Sequence, residues 1–341
     1  MRAVVYERFN GPIDVVDVAE PVAGPGEVVV DVLATGVCRS DVHGWRGTDV
    51  DIACPHVGGH EFVGRVVAAG PGVERVAVGQ RVVAPFVCGC GACEPCRSGN
   101  PQVCVRQQQP GFTMWGSFAE RCRIPFADHN AVVVPASVDD ASAALVGCRV
   151  STAHRALERG RLRDGEVLAV HGCGGVGLAT IALGRAIGAR VIAIDIDQGA
   201  LELAAALGAD TTVRVEADGT DAGDRVRALG GAHVSVDCLG GGAVASASIA
   251  SLRPLGRHVQ VGLFPGPTAE LPISRVVRDE LEVLGVHGQA AARFGPIFDL
   301  IERGRLDLTP LVTRRIGLDG IAAELPAMAA FGRPGIAVAT P

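Results

Sequence analysis

The chain reads as an α/β protein in two parts, a mainly antiparallel β barrel-like unit and a doubly wound parallel sheet. Three observations predict this. Up to about residue 148, β-branched runs alternate with Gly/Pro turns. Beyond that point, short apolar strands alternate with helical segments, the rhythm of a parallel sheet with crossover helices. A glycine-rich turn, Gly172-Cys173-Gly174-Gly175-Val176-Gly177, stands where the first of those strands meets its helix. At 341 residues the chain exceeds one typical domain, and its 48% hydrophobic content suffices for two cores.

In order, residues 1–8 read as a short strand and not as a signal peptide. Val28 to Leu33 and Val63 to Ala69 read as strands, with turns at Gly24-Pro25-Gly26 and Gly70-Pro71-Gly72. The pattern changes near Ser137. Val167 to Val170 is a buried strand, Leu178 to Ile187 is helical, and Val191 to Ile194 is the next buried strand. Ala200 to Leu207 is an Ala/Leu-rich helix, followed by strands at Val234 to Asp237 and His258 to Val261. After about Val286 the rhythm is lost, and Ile336-Ala337-Val338 is a last strand.

The net charge of −6 leaves no basic footprint for nucleic acid. All 31 basic residues are arginine, so no lysine can take part in any mechanism. The longest uncharged small-residue run, Leu239 to Leu252, is too short to span a bilayer. A cytoplasmic protein without nucleic-acid or membrane partners is therefore expected. In a reducing compartment, clustered cysteines point to metal and scattered ones to packing. Cys54, Cys88, Cys122, Cys173 and Cys238 form the scattered set.

Cys90, Cys93, Cys96 and Cys104 follow the spacing C-x2-C-x2-C-x7-C, which suits a closed tetrahedral structural zinc. Cys88 competes for the first place. The surrounding loop, Gly89 to Pro101, carries little apolar content, so metal is what would order it. Cys38, His60 and Cys148 lie far apart, each in its own frame: Gly36-Val37-Cys38-Arg39-Ser40-Asp41-Val42-His43, Gly58-Gly59-His60-Glu61 and Gly147-Cys148-Arg149-Val150-Ser151-Thr152. Two thiolates and an imidazole can hold a second zinc with one position open.

In the glycine turn, Gly172 permits the tight bend, and Gly174 and Gly175 let backbone N–H groups approach a pyrophosphate at a helix N-terminus. Val176 and Gly177 complete the motif. Asp195, 18 residues after Gly177, ends the next strand and can accept from both ribose hydroxyls. With Ile196 beside it and no adjacent cation, NAD is favoured over NADP. Arg214 is the residue whose approach by an unforeseen loop path would upset this.

Together these frames resemble the zinc-dependent alcohol dehydrogenases of the medium-chain dehydrogenase/reductase superfamily. The resemblance covers essentially the whole chain and selects Cys90 over Cys88. It implies a GroES-like catalytic domain, residues 1–148 and 287–341, into which a Rossmann dinucleotide domain, residues 149–286, is inserted. It implies a catalytic zinc on Cys38, His60 and Cys148, a structural zinc on the four clustered cysteines, and NAD. The implied reaction is interconversion of an alcohol with its aldehyde or ketone by zinc-assisted hydride transfer. A proton relay would run from Ser40 through the nicotinamide ribose to His43. Asp41 would orient His60, Glu61 would approach the zinc during ligand exchange, Arg39 would contact the pyrophosphate, and Thr152 the nicotinamide. Trp45, Phe86, Met114 and Trp115 would line the pocket, and a homodimer or homotetramer is implied.

Two departures stand out. The lysine common five residues after the ribose-binding acid is replaced by Ala200, and the late phosphate-side arginine has no match around Ile336. Two other readings share the fold: a reductase of C=C or imine bonds, and a non-enzymatic zinc-binding scaffold. The intact Cys38, His60, Cys148, Ser40 and His43 argue against both.

Overall fold

The computed structural model describes residues 1–216, 219, 221–264, 266, 268–329 and 333–341. Six parallel strands form one sheet in the order Thr211–Arg214, Arg190–Asp195, Val167–His171, Ala232–Asp237, Leu252–Gln260 and Glu282–Gly285. The central Val167–His171 is buried along its whole length, which is why it reads as a continuous apolar run. The two edge strands, Thr211–Arg214 and Glu282–Gly285, escape sequence reading because they are short and largely solvent-facing. Helices Gly175–Ile187 and Gln198–Ala206 follow the first and second strands of the unit. The first is stopped by Gly188 at φ 100°, and the second is capped by Asp197, whose side chain accepts from the Ala200 N–H at 2.7 Å.

A second, seven-stranded sheet is almost wholly antiparallel. Val28–Gly36 is its hub. Phe62–Ala69 lies along one edge of it; along the other, Arg121–Ile124 pairs with its first half and Ile336–Thr340 with its end. Val338 stands opposite Gly36 and Ala339 opposite Thr35, so the last strand of the chain closes against the segment leading into Cys38. The initial strand, Arg2–Val5, pairs with Asp14–Asp17 outside this sheet.

The largest core cluster joins the two sheets' territories. Val63 and Val83 from the antiparallel sheet share one cluster with Leu168 and Val170 of the parallel one and with Leu178 of the helix Gly175–Ile187, by way of the helices between Ala141 and Leu157. Among the described residues, no helix is long and apolar enough to cross a membrane.

Candidate functional site

Helix Arg39–Arg46 begins at Cys38 and ends at Gly47, whose φ of 73° only glycine adopts at ease. Asp41 organises its start. One carboxylate oxygen accepts the Cys38 N–H at 2.8 Å; the other meets the Gly59 N–H at 3.1 Å and His60 Nδ1 at 3.0 Å. Those contacts place Nδ1–H toward Asp41, which leaves Nε2 as the lone-pair nitrogen. Nε2 is buried and has no hydrogen-bond partner.

That nitrogen and the sulfurs of Cys38 and Cys148 lie within 4.8 Å of one another, all three residues buried. A buried, unpartnered imidazole nitrogen facing two thiols is what a tetrahedral cation would satisfy. Burial, the largest influence on His60, works against its cation, yet the charge and hydrogen bond of Asp41 and the proximity of Cys38 raise it to about 10, so a metal at Nε2 would take the place of a proton there. Cys38 is held well below the usual thiol range, first by the hydrogen bond from Cys148 and then by Arg149 and His60. The site is electron-rich and fits zinc.

Cys148 and Arg149 share a π-helical turn, Val146–Val150, a wide turn often found where side chains must be re-aimed. Glu61 does not face the three ligands freely. Its Oε2 pairs with the Arg149 guanidinium at 2.6 Å and its Oε1 accepts the Arg149 backbone N–H at 2.9 Å. Burial pushes the Glu61 carboxyl upward and Arg149 opposes that rise.

Ser40 and His43 sit one turn apart on the same helix, so their side chains share a face. Ser40 Oγ lies 3.9 Å from Cys38 Sγ. His43 is exposed, with Nδ1 3.3 Å from Thr48 Oγ1. Partial burial first, then Arg39 and Arg46, hold its pKa below the ordinary histidine value. Arg39 is exposed at the start of this helix, and Thr152 is buried at the start of Ser151–Arg159.

Phe112, which sequence reading did not single out, is buried with its ring centroid 4.8 Å from that of His60; Phe86 is at 6.1 Å and stands edge-on to His287 at 5.4 Å. Nothing local marks Phe112 or His287, because each reaches the site through tertiary packing. Trp115 is 42% exposed and donates to the Pro55 carbonyl at 3.3 Å. Trp45 donates to Gly11 O at 3.0 Å and packs, half-buried, against the core that includes the first strand.

The second cysteine cluster is compact. Cys93 Sγ lies 3.4 Å from Cys96 Sγ and 3.5 Å from Cys104 Sγ, and Cys90 Sγ is 4.0 Å from Cys96 Sγ. Four sulfurs around one zinc at ~2.3 Å stand about 3.8 Å apart, so this cage fits the ion. A hydrogen bond from the Ala92 backbone, more than any other influence, lowers Cys90 to about 5, and burial raises Cys96 to about 12. Cys88 lies outside the cage, buried, with its thiol donating to Pro85 O at 3.4 Å.

At the C-terminal end of the parallel sheet, Gly172 bends at φ 94° and Gly174 caps helix Gly175–Ile187. A Cβ on Gly177 would run into the Gly172 carbonyl, whereas one on Gly174 would meet open space. Asp195 ties the turn to the second strand: Oδ2 accepts the Cys173 N–H at 2.6 Å and Oδ1 the Asp197 N–H at 2.9 Å. Each oxygen keeps a lone pair for a ribose hydroxyl. Arg214 stands opposite Asp195 in the parallel ladder, and its Nε donates to Ile196 O at 3.3 Å. It comes near by strand register, not by a loop path. The turn has the open face, free helix N-terminus and terminal carboxylate that a dinucleotide requires.

The family model of the alcohol dehydrogenase GroES-like domain matches residues 24–136, and that of the zinc-binding dehydrogenase matches residues 175–303. An alcohol dehydrogenase of Geobacillus stearothermophilus is 36% identical over 288 residues, covering 84% of each chain. The solved alcohol dehydrogenase of Thermus sp. ATN1 superposes with a TM-score of 0.90 at 31% identity, over 100% of this chain and 99% of that one. A solved NAD-dependent alcohol dehydrogenase superposes at 0.87 with 31% identity over the full length of both.

Proposed function

The chain belongs to the zinc-dependent alcohol dehydrogenases of the medium-chain superfamily, and from that premise we propose that it interconverts a small apolar or aryl alcohol and its aldehyde or ketone, with NAD as hydride acceptor. The observation that carries this reading is the convergence of Cys38, His60 and Cys148 on one point, with His60 Nε2 buried and unpartnered. One zinc per chain would be held there and a second by Cys90, Cys93, Cys96 and Cys104.

Bound in the three-ligand centre, zinc supplies a Lewis acid for the substrate oxygen, and NAD at the glycine turn supplies the hydride acceptor. The chain's own residues do the rest. Asp41 fixes the His60 tautomer so that Nε2 faces the metal position. Ser40 Oγ takes up the substrate's hydroxyl proton and releases its own outward. His43, neutral near pH 7 because its pKa is depressed, accepts that proton and gives it to solvent. The rings of Phe86 and Phe112 exclude water on the His60 side. Asp195 binds the adenosine ribose and repels a 2′-phosphate. A homo-oligomer in the cytoplasm completes the proposal.

A second reading, that NADP is also accepted, has one specific support: Arg214 beside Ile196 brings a cation to the strand end that carries Asp195. The deciding experiment measures zinc content and kcat/KM on primary, secondary, benzylic and diol alcohols with both cofactors, for the wild type, Asp195→Gly and Arg214→Ala. Two zincs per chain and an NAD preference that narrows in Asp195→Gly are expected. A chain that holds zinc yet oxidises no alcohol while reducing C=C or imine bonds would refute the reading; loss of NADP turnover in Arg214→Ala alone would establish the second.

A further inference from the structure

Arg149 is an arginine at 3% exposure, and its two side-chain partners share a feature with its own place in the chain. Its guanidinium pairs with Glu61, the residue after the ligand His60. It also donates to the carbonyl of Val37, the residue before the ligand Cys38. Arg149 itself follows the ligand Cys148. One buried ion pair therefore joins the sequence neighbours of all three metal ligands. The fit is tight on both sides: a Cβ on Gly36 would strike the Glu61 carboxylate, and a Cβ on Gly175 would stand 2.6 Å from Arg149 Cδ and 2.7 Å from Nε. Gly175 is the first residue of the helix at whose N-terminus the proposed dinucleotide site lies.

Arg149 stands against both Glu61 oxygens: its guanidinium lies 2.6 Å from Oε2 as a charge partner without hydrogen-bond geometry, and its backbone N–H donates to Oε1 at 2.9 Å. A buried carboxylate on the residue next to a ligand of a divalent cation, once freed of its guanidinium, has one obvious alternative partner, the metal. On the zinc dehydrogenase reading above, we propose that Arg149 is a positioning residue: it holds the Glu61 carboxylate off the open coordination position and, through Gly175, rests the cofactor turn on the same ion pair.

The test uses the full-length chain with cobalt in the three-ligand centre and zinc in the four-cysteine cage. Cobalt absorption bands report the ligand set, and imidazole titration reports whether the fourth position is open. In Arg149→Met the bands should shift to those of an added carboxylate ligand, and imidazole should bind at least tenfold more weakly. Arg149→Met/Glu61→Gln should return both toward wild type, while NAD affinity stays reduced in both variants because the support under Gly175 is lost. Arg149→Lys, which keeps a cation but cannot fork onto Glu61 and Val37 together, should fall between and folds even where the Met variant does not. Wild-type bands and imidazole affinity in Arg149→Met or Arg149→Lys, or no reversal by Glu61→Gln, would overturn the inference. Failure of the wild type itself to show tetrahedral cobalt bands would overturn the metal reading, and this inference with it.

Discussion

Replacing Gly174 by alanine should separate cofactor binding from folding. Gly174 has φ −76° and ψ −169°, a conformation open to any L-residue, and its Cβ would point into space with no protein atom within 4 Å. Alanine should not harm the fold. By restricting the unfolded chain it should add about 0.4–1 kcal/mol of stability, a rise of about 1–3 °C in Tm for a chain of this size. The same methyl group occupies the space into which a pyrophosphate must come to meet the N–H groups at the head of helix Gly175–Ile187. Losing one charge-assisted hydrogen bond costs about 1.5–3 kcal/mol, or roughly 10- to 150-fold in NAD affinity. Gly177→Ala should behave in the opposite way, since its Cβ meets a backbone carbonyl that cannot step aside; overpacking of that kind costs about 1–3 kcal/mol or more of stability. Calorimetric NAD titration and thermal melts on both variants test the argument. An NAD affinity within twofold of wild type in Gly174→Ala would refute it, as would weak binding accompanied by a matching fall in Tm.

Other consequences follow from the site and the core. Cys93→Ser should lower Tm and soluble yield and remove about one zinc per chain without altering the KM for alcohol, because the closed cage contributes folding free energy and offers no substrate position; zinc analysis and melting curves check it, and two retained zincs with unchanged Tm would contradict it. His43→Ala should slow alcohol oxidation by roughly 10²-fold, most at low pH, with partial rescue by added imidazole; an unaltered pH–rate profile would leave His43 a surface residue. His171 is fully buried, and burial first, then His258, depresses it to about 3. Because its folded pKa lies below the unfolded value near 6.5, its contribution is complete above that value and declines as pH falls from about 6.5 toward 3, by up to roughly 4–5 kcal/mol. The slope of stability against pH in that window should flatten in His171→Asn; an unchanged slope would place acid sensitivity elsewhere.

Much of this protein is legible along the chain, and the reason is that certain signals are local. The buried strands from Val167 to Val261 announce themselves as apolar runs because both faces of a parallel sheet are covered. The glycine turn is readable because the bend at Gly172 and the close packing at Gly177 tolerate no other residue. The four-cysteine cage is readable because its ligands close within one loop. The edge strands at Thr211–Arg214 and Glu282–Gly285 are not, since a solvent-facing edge imposes no apolar pattern. Nor are the partners of the catalytic centre. Cys38, His60 and Cys148 could be nominated from their frames, but only the fold brings them within one coordination sphere. Only the fold shows Phe112 against His60, Arg214 across the ladder from Asp195, and Arg149 buried between Glu61, Val37 and Gly175. Those contacts join segments tens of residues apart, and their energy comes from burial and charge pairing between elements, terms that no window of sequence contains.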